Sequence, residues 1–192
     1  KIVVTGCAAQ VNPGGFASMP EVDRVIGNAE KLRPSALAGA NGEAMTWSDI
    51  TAAGETAGRM IGGLQGRTRA YLQVQQGCDH RCTFCIIPLA RGPSRSLPVH
   101  GIIEQARHLT ANGYREVVLT GVDISSYGVD LPGRPTLGGL AASLLARVGE
   151  IKRLRFSSLD PAAMDAALIE LLAEDDRLMP HLHLSLQAGD DV

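Results

Sequence analysis

Three cysteines stand close together in the chain, at positions that suit a metal cluster. Cys78, Cys82 and Cys85 follow the spacing Cys-x3-Cys-x2-Cys, directly after an alternating apolar stretch. Cysteine thiolates bind iron–sulfur clusters, and a cubane cluster normally takes four of them. Because three thiolates leave one iron without a protein ligand, that iron can bind a substrate or a cofactor. The spacing therefore predicts a catalytic iron–sulfur cluster.

Two other kinds of site use the same residue types. A structural zinc site takes four ligands, usually as two separated pairs of Cys or His. His80 is the nearby fourth ligand, and its place between Cys78 and Cys82 makes the loop cramped for zinc. A disulfide would leave one of the three thiols unpaired, and the start of the chain does not resemble a secretion signal. The cluster is the favoured interpretation, and zinc is the alternative.

The composition is that of an ordinary globular protein. The chain has 192 residues, of which 45% are hydrophobic, and its formal net charge is -2. No apolar run approaches the roughly 20 residues that a transmembrane helix needs, so no membrane association is expected. Four cysteines and no targeting segment indicate the reducing cytoplasm. Nucleic-acid-binding domains usually carry a basic excess, so the composition by itself gives no support for a nucleic-acid partner.

The chain divides into two parts joined by a glycine-rich stretch. A β-branched strand starts at Ile2, and a capping box at Ser18 and Glu21 predicts a short helix that runs through Ile26. The glycines of the joining stretch lack the Gly-Lys-Ser/Thr ending of a phosphate-binding loop. The predicted boundaries are 1–37 for the end of a small α/β N-terminal domain, 38–68 for a linker and 69–192 for a second domain.

Strands and helices alternate in the second domain. The predicted strands are 70–76, 116–120, 152–157 and 181–187. The intervening segments carry apolar residues at helical spacing, and these stripes are expected to form the core: Ile102, Ile103, Ala106 and Leu109; Leu137, Leu140, Ala141, Leu144, Leu145 and Val148; Leu168, Leu171 and Leu172. Asp160 and Pro161 are expected to open the third helix.

Repeated βα units build a parallel sheet or barrel, and the loops after the C-terminal ends of its strands carry the active site. The cysteine loop follows the first predicted strand, and polar or glycine-containing loops follow the others, at 121–123, 157–160 and 187–190. The predicted fold is therefore α/β, a partial (βα) barrel of about four βα units.

The segment from Gln75 to Ser96 identifies a family. Its letters QQGCDHRCTFCIIP, followed by RGPSRS, closely resemble the radical S-adenosylmethionine (SAM) methylthiotransferases, which modify tRNA or a ribosomal protein. Four other segments also resemble that family: TGCAAQ at 5–10, VIGNAEK at 25–31, LTGVD at 119–123 and HLSLQAG at 183–189. Within the family, RGPSRS and LTGVDI most resemble the branch that acts on N6-threonylcarbamoyladenosine beside the tRNA anticodon.

The resemblance implies a mechanism for the cysteine loop. Cys78, Cys82 and Cys85 would bind a [4Fe–4S] cluster whose open iron holds SAM. Electron transfer would then cleave SAM to give a 5′-deoxyadenosyl radical, which takes hydrogen from the adenine ring. Sulfur insertion at carbon 2 and a methyl group from another SAM would complete the methylthio group.

The resemblance also implies contacts to SAM from outside the cysteine triad. The candidate residues are Phe84, Gly121, Asp123, Ser158 and Gln187. The alternative role of Phe84 is packing within the loop, and the alternative role of Asp123 is capping of a helix or loop. Arg81, Arg91 and Arg95 would contact an RNA phosphate or tune the cluster potential, with a solvated basic face as the alternative.

Cys7 has two interpretations. A lone cysteine at a strand end is usually a small buried side chain. The resemblance instead implies that it binds a second, auxiliary [4Fe–4S] cluster, whose other two cysteines would precede Lys1. We therefore expect the full-length protein to hold two clusters and this chain to be incomplete at its start.

The resemblance predicts more sequence after the chain as well. The family core has six strands and a following β domain that binds tRNA, whereas four strands are predicted here. An open sheet edge invites aggregation, so we expect the isolated chain to be poorly soluble and inactive on tRNA. The expected partners are tRNA through that C-terminal domain, an electron donor and a sulfur donor. The competing functions are modification of isopentenyladenosine tRNA or a ribosomal protein, and a non-catalytic iron–sulfur or zinc module.

Overall fold

The computed structural model describes residues 1–33, 35–36, 43–54, 63, 66–186 and 188–189. The chain forms two compact units. The first comprises Lys1–Ala57 and Gly77–Pro93, and the second comprises Gly58–Gln76 and Ser94–Val192. The cysteine loop therefore groups with the N-terminal residues. The domain boundaries drawn from the sequence stay a prediction.

A three-stranded parallel sheet organises the first unit. Its strands, in order across the sheet, are β1 (Val3–Thr5), β2 (Arg24–Ile26) and β3 (Met45–Thr46). The strand predicted near Ile2 is confirmed as β1. β2 is the central strand, and its Val25 and Ile26 are fully buried. β3 lies within the stretch that the sequence predicts as a linker.

Short helices complete the first unit. They are α1 (Cys7–Val11), α2 (Pro13–Ala17) and α3 (Ile87–Arg91), with 3-10 turns at Glu30–Leu32 and Ile50–Ala52. α3 follows the cysteine loop and packs against α1. This packing places the end of the cysteine segment beside the residues that follow β1.

The helix predicted from the capping box at Ser18 is wrong. The structure forms α2 before that position, turns follow it, and β2 occupies the end of the predicted helix. Asn12 begins α2, because its side-chain oxygen accepts a hydrogen bond from the Gly15 amide at 3.0 Å and Pro13 takes the first helical position. Ser18 ends α2, and its hydroxyl donates to the Gly15 carbonyl at 2.9 Å. Val25 and Ile26 form a strand because β-branched residues suit a buried sheet.

The second unit contains seven strands in its described residues. They are β4 (Arg69–Gln73), β5 (Gln75–Gln76), β6 (Arg95–Ser96), β7 (Glu116–Thr120), β8 (Arg153–Phe156), β9 (Ser158–Leu159) and β10 (His183–Leu184). β4, β7 and β8 form a parallel sheet in that order, and β9 and β10 form a parallel pair. β5 and β6 pair antiparallel. All four predicted strands therefore form, although the first is interrupted at Val74 and the last is short.

In its described residues, the second unit also contains three α-helices. They are α4 (Val99–Ala111), α5 (Leu137–Arg147) and α6 (Ala166–Glu174). The stripes predicted for α4 and α5 lie in the hydrophobic core, and so does Leu168 of α6. The start predicted for the third helix is wrong: Asp160 caps only a 3-10 turn at Pro161–Ala163. Asp165 caps α6, because its carboxylate accepts from the Leu168 amide at 3.0 Å.

The parallel βα order confirms the α/β class. The connection from β4 to β7 contains α3 and α4, and the connection from β7 to β8 contains α5, so helices link the parallel strands as in repeated βα units. Closure into a partial barrel stays a prediction, because β9 and β10 form a separate pair in the described residues. Within those residues, no helix has the length and apolar character to cross a membrane.

One acidic residue organises the first residues of the three parallel strands. Glu116 of β7 has a side chain that is only 8% exposed, and three arginines surround it. Arg153 and Arg155 donate from Nε to its two carboxylate oxygens at 2.6 and 2.8 Å, and Arg69 lies at 3.4 Å. The hydrogen bond from Arg153 is the main cause that holds the pKa of Glu116 below its ordinary value. The hydrogen bond and charge of Arg155 and the charge of Arg69 lower this pKa further, although burial opposes the shift.

We expect Glu116→Gln to lower the free energy of unfolding at pH 7 by about 1–3 kcal/mol, because three guanidinium groups lose their shared anion. A carboxyl group whose folded pKa is depressed adds stability above its unfolded pKa and loses it as the pH falls through the folded value. The difference between the variant and the parent should therefore shrink below about pH 4.3. Urea unfolding from pH 3 to pH 8 measures it. Glu104→Gln, at an exposed position of α4, is the control. An equal, pH-independent loss in both variants would contradict the assignment.

Candidate iron–sulfur and cofactor site

The cysteine loop is an irregular segment of the first unit. Cys78, Cys82 and Cys85 are not in disulfides, and Cys82 is exposed while the other two are half-buried. The Cys78 amide donates to the Gly92 carbonyl at 3.1 Å, and the Cys85 amide donates to the Cys82 carbonyl at 3.0 Å. These bonds tie the two ends of the loop together and form a turn between the last two cysteines. Three cysteines outside disulfides on one short loop fit a cluster that takes three ligands from the protein.

The structure also bears on the zinc alternative. A ring nitrogen of His80 lies within 4.8 Å of the Sγ atom of Cys78. This closeness concerns one of the three cysteines, so the expectation that the loop is too cramped for His80 as a fourth zinc ligand stays a prediction. A zinc site with these two residues as ligands stays an alternative that metal analysis has to separate from an iron–sulfur cluster.

Gly77 is a positioning residue that sequence reasoning treated only as a letter of the motif. Its φ is +73°, in the region that side chains rarely adopt. A Cβ atom at this position would overlap the Pro93 carbonyl oxygen and would lie 2.6 Å from the Gly92 carbonyl oxygen. The backbone after the cysteine loop therefore packs directly on the residue before it. In the sequence, the signal for this positioning role is a glycine directly before the first cysteine of the loop.

Cys7, the first residue of α1, lies in a cationic environment within the first unit. Arg91, the last residue of α3, donates from Nε to the Sγ atom of Cys7 at 3.1 Å. Lys31 is close enough for both residues to affect it: burial lowers the pKa of Lys31, Arg91 lowers it further, and Cys7 raises it. Cationic neighbours favour a negatively charged sulfur ligand. The environment of Cys7 therefore suits a metal-binding thiolate better than an inert core cysteine.

Asn28 helps to build this environment. Lys31 donates from Nζ to Asn28 Oδ1 at 2.7 Å, and Asn28 Nδ2 donates to the Ala90 carbonyl at 2.7 Å. Ala90 precedes Arg91 in α3, so the buried Asn28 links the lysine to the helix that carries the arginine. Asn28 and Lys31 belong to the segment VIGNAEK that the sequence comparison with the family singled out, but no role was predicted for either.

The structure gives different environments to the three arginines singled out in the sequence. Arg91 contacts Cys7, so its alternative role on a solvated basic face is wrong. Arg95 of β6 is 8% exposed, so the same alternative is wrong there. Arg81 is exposed in the cysteine loop, as a solvated residue would be.

Gly121 and Asp123 follow β7 in the second unit. A Cβ atom on Gly121 would lie 2.7 Å from Ile124 Cγ2 and 2.9 Å from both the backbone and side-chain carbonyl oxygens of Gln75. Asp123 precedes a 3-10 turn at Ile124–Ser126, and its Oδ2 atom accepts from the Ser126 hydroxyl at 2.7 Å. The Asp123 side chain makes no capping hydrogen bond to the backbone of this turn, so both its alternative role in capping and its contact with a cofactor stay predictions.

The remaining predicted cofactor residues are less constrained. Ser158 is an exposed residue of β9 in the second unit. Phe84 is 91% exposed, so its alternative role of packing within the loop is wrong. Gln187 lies outside the described residues. The structure thus brings Cys78, Cys82 and Cys85 together in one unit and places Gly121, Asp123 and Ser158 in the other.

Comparison with known families supports the class of protein that the cysteine loop and the βα order indicate. Residues 72–192 match the family model of the radical SAM superfamily. The chain therefore belongs to the radical SAM superfamily.

Relatives that match nearly the whole chain are methylthiotransferases. Threonylcarbamoyladenosine tRNA methylthiotransferase MtaB from Rickettsia prowazekii is 50% identical over 100% of this chain and 45% of its own length. A tRNA-2-methylthio-N(6)-dimethylallyladenosine synthase from Novosphingobium aromaticivorans is 36% identical over 99% of this chain and 44% of its own length. Ribosomal protein uS12 methylthiotransferase RimO from Anaeromyxobacter sp. is 35% identical over 100% of this chain and 41% of its own length. The chain spans less than half the length of these relatives.

Proposed function

We propose that this protein is a cytoplasmic tRNA methylthiotransferase that adds a methylthio group at carbon 2 of N6-threonylcarbamoyladenosine, beside the anticodon. The observation that carries the proposal is one relative. The chain is 50% identical over its whole length to a relative from Rickettsia prowazekii named for that nucleoside. Three other relatives with the same name are 34–36% identical, in the same range as the relatives named for dimethylallyladenosine and for a ribosomal protein, at 36% and 35%.

Cys78, Cys82 and Cys85 would hold a [4Fe–4S] cluster, and their reduced state, with no disulfide, and the exposure of Cys82 suit that role. When bound, the cluster supplies the electron that cleaves SAM and generates the radical that attacks the adenine. The chain itself holds the three thiols on one loop, through the bond from the Cys78 amide to the Gly92 carbonyl.

The loop after β7 and the start of β9 would bind SAM. Gly121 lets the backbone approach a ligand closely because it has no Cβ atom. The carboxylate of Asp123, held by Ser126, would accept a hydrogen bond from a ribose hydroxyl. Ser158 offers an exposed hydroxyl, and Gln187 is proposed from the family segment alone. Phe84, with most of its ring exposed, would pack against the bound cofactor.

Cys7 would be one ligand of an auxiliary [4Fe–4S] cluster that takes part in sulfur transfer. The Arg91 guanidinium, 3.1 Å from its Sγ atom, would stabilise the negative charge on the ligand sulfur. The partners of the protein would be tRNA, an electron donor and a sulfur donor.

The nucleosides of tRNA test the substrate. Deleting the gene should remove the 2-methylthio group from N6-threonylcarbamoyladenosine in digested tRNA, measured by mass spectrometry, and leave methylthiolated isopentenyladenosine unchanged. Restoring the intact gene should restore the modification. Loss of the isopentenyl nucleoside instead, or an unchanged nucleoside profile with an unmodified ribosomal protein, would assign the protein to one of the other two branches.

A non-catalytic metal module is the second candidate, and the closeness of His80 to Cys78 favours it. Anaerobic reconstitution separates it from the enzyme. A cluster that the enzyme uses should load with iron and sulfide, and added SAM should perturb its electron paramagnetic resonance spectrum. One equivalent of stable zinc, with no response to SAM, would favour the module.

A further inference from the structure

Gln75 is a buried polar residue for which the proposed function supplies no role. It begins β5, next to the end of β4, and is 0% exposed. An amide side chain without partners would be costly in such a place, because its donor and acceptor groups lose their bonds to water. The hydrogen bonds of Gln75 therefore explain why the chain keeps an amide at this position.

The oxygen of Gln75 binds the loop that follows β7. Its Oε1 atom accepts hydrogen bonds from the Val122 amide at 3.0 Å and from the Asp123 amide at 2.8 Å. Two consecutive backbone amides thus point at one side-chain oxygen, which uses both of its lone pairs. This arrangement fixes the direction of the backbone between Gly121 and Asp123.

The nitrogen of Gln75 anchors the side chain from the other direction. Its Nε2 atom donates to the Gln76 carbonyl at 3.0 Å and to the Ser94 hydroxyl at 3.0 Å. Both protons of the amide therefore have acceptors, and the amide group cannot turn over without losing them. Gln75 is held at both ends, so it can hold the loop after β7.

Gly121 shows how closely this loop packs on Gln75. A Cβ atom on Gly121 would approach the Gln75 backbone oxygen and Oε1 to 2.9 Å, closer than side chains pack in proteins. The loop therefore rests on Gln75 through a glycine and is bonded to it through the next two amides. These contacts restrict the backbone conformation of residues 121–123.

We propose that Gln75 is the positioning residue of the loop 121–123, and that it sets the affinity for SAM by holding Gly121 and Asp123 in their binding geometry. The inference rests on the proposed function, because that function makes this loop a SAM contact. Gln75 acts through the loop and does not itself touch the cofactor. A misplaced contact weakens binding even when the fold and the cluster ligands are intact.

The test compares Gln75→Leu and Gln75→Glu with Gln105→Leu in the intact, anaerobically reconstituted protein. Gln105 is a buried glutamine of α4, 7% exposed, and serves as the matched control for loss of a buried amide. Gln75→Leu should weaken SAM binding about tenfold or more, because the hydrogen bonds from the Val122 and Asp123 amides to Gln75 are lost. Gln75→Glu keeps an accepting oxygen and should lie between the leucine variant and the parent. Equilibrium dialysis with labelled SAM measures the affinity, and iron analysis measures the cluster.

Hydrogen exchange reports on the loop without SAM. The Val122 and Asp123 amides should exchange faster in Gln75→Leu than in Gln105→Leu at matched thermal stability. If the parent binds SAM and Gln75→Leu binds it equally well, the inference is wrong and the proposed function stands. If the parent takes up iron but binds no SAM, the proposed function is wrong and the inference falls with it. Should Gln75→Leu fail to fold, equal affinity in Gln75→Glu and Gln105→Leu, with no added exchange, would overturn the inference.

Discussion

Serine at any one position of the cysteine triad is expected to remove one of two clusters from the intact protein. If both clusters form, the parent should carry about eight irons, and Cys82→Ser should carry about four. The serine hydroxyl is a far weaker ligand for iron than a thiolate, and the triad has no spare cysteine on its loop. SAM should no longer perturb the spectrum, and methylthiolation of tRNA should fall below detection. Iron analysis and electron paramagnetic resonance measure the loss.

Cys7→Ser is the matched control for the triad, since it also removes one cysteine from the first unit. It should lower the iron content by a similar amount, because it removes a proposed ligand of the auxiliary cluster, yet the response to SAM should survive. Full iron content in Cys82→Ser, or loss of the SAM response in Cys7→Ser but not in Cys82→Ser, would contradict the assignment of the two clusters.

Gly77→Ala is expected to disrupt the cysteine loop although it changes no ligand. The alanine methyl group would overlap the Pro93 carbonyl oxygen, and φ of +73° would be strained for alanine. We expect the free energy of unfolding to fall by about 2–4 kcal/mol, from overpacking and backbone strain together. The iron content after reconstitution should fall with it. Denaturant unfolding and iron analysis measure both effects.

Alanine variants at two other glycines separate the effect of backbone strain from the effect of the overlap with Pro93. Gly6 also precedes a cysteine and has φ of +113°, but no atom lies within 4 Å of a Cβ built on it. Gly6→Ala should therefore show only the strain, about 1 kcal/mol. Gly101, in α4 with open space around it, should tolerate alanine and gain about 0.5–1 kcal/mol from better helix propensity. A loss in Gly77→Ala no larger than the loss in Gly6→Ala would show that the Pro93 contact is unimportant.

Local signals in the sequence predicted the second unit well. The apolar stripes predicted in α4 and α5 lie in the core, because apolar residues at helical spacing bury one face of a helix. The same reasoning failed at Ser18, where the letters of a capping box do not begin a helix. A capping box is a local pattern, and the burial of Val25 and Ile26 in a sheet outweighs it.

What the sequence by itself determined is the set of groups that can do chemistry and their order along the chain. The spacing of Cys78, Cys82 and Cys85 indicates a cluster with an open iron, because the number of thiolates is a property of the letters alone. Alternating strands and amphipathic helices likewise indicate the α/β class.

Only the tertiary structure decided which groups support that chemistry. The bond from Arg91 to Cys7 joins residues 84 positions apart, and the amide of Gln75 binds residues 47 and 48 positions away. No periodicity or motif encodes such pairs, because they depend on how helices and strands pack after the chain has folded. Glu116 collects three arginines for the same reason: parallel register brings the first residues of β4, β7 and β8 side by side.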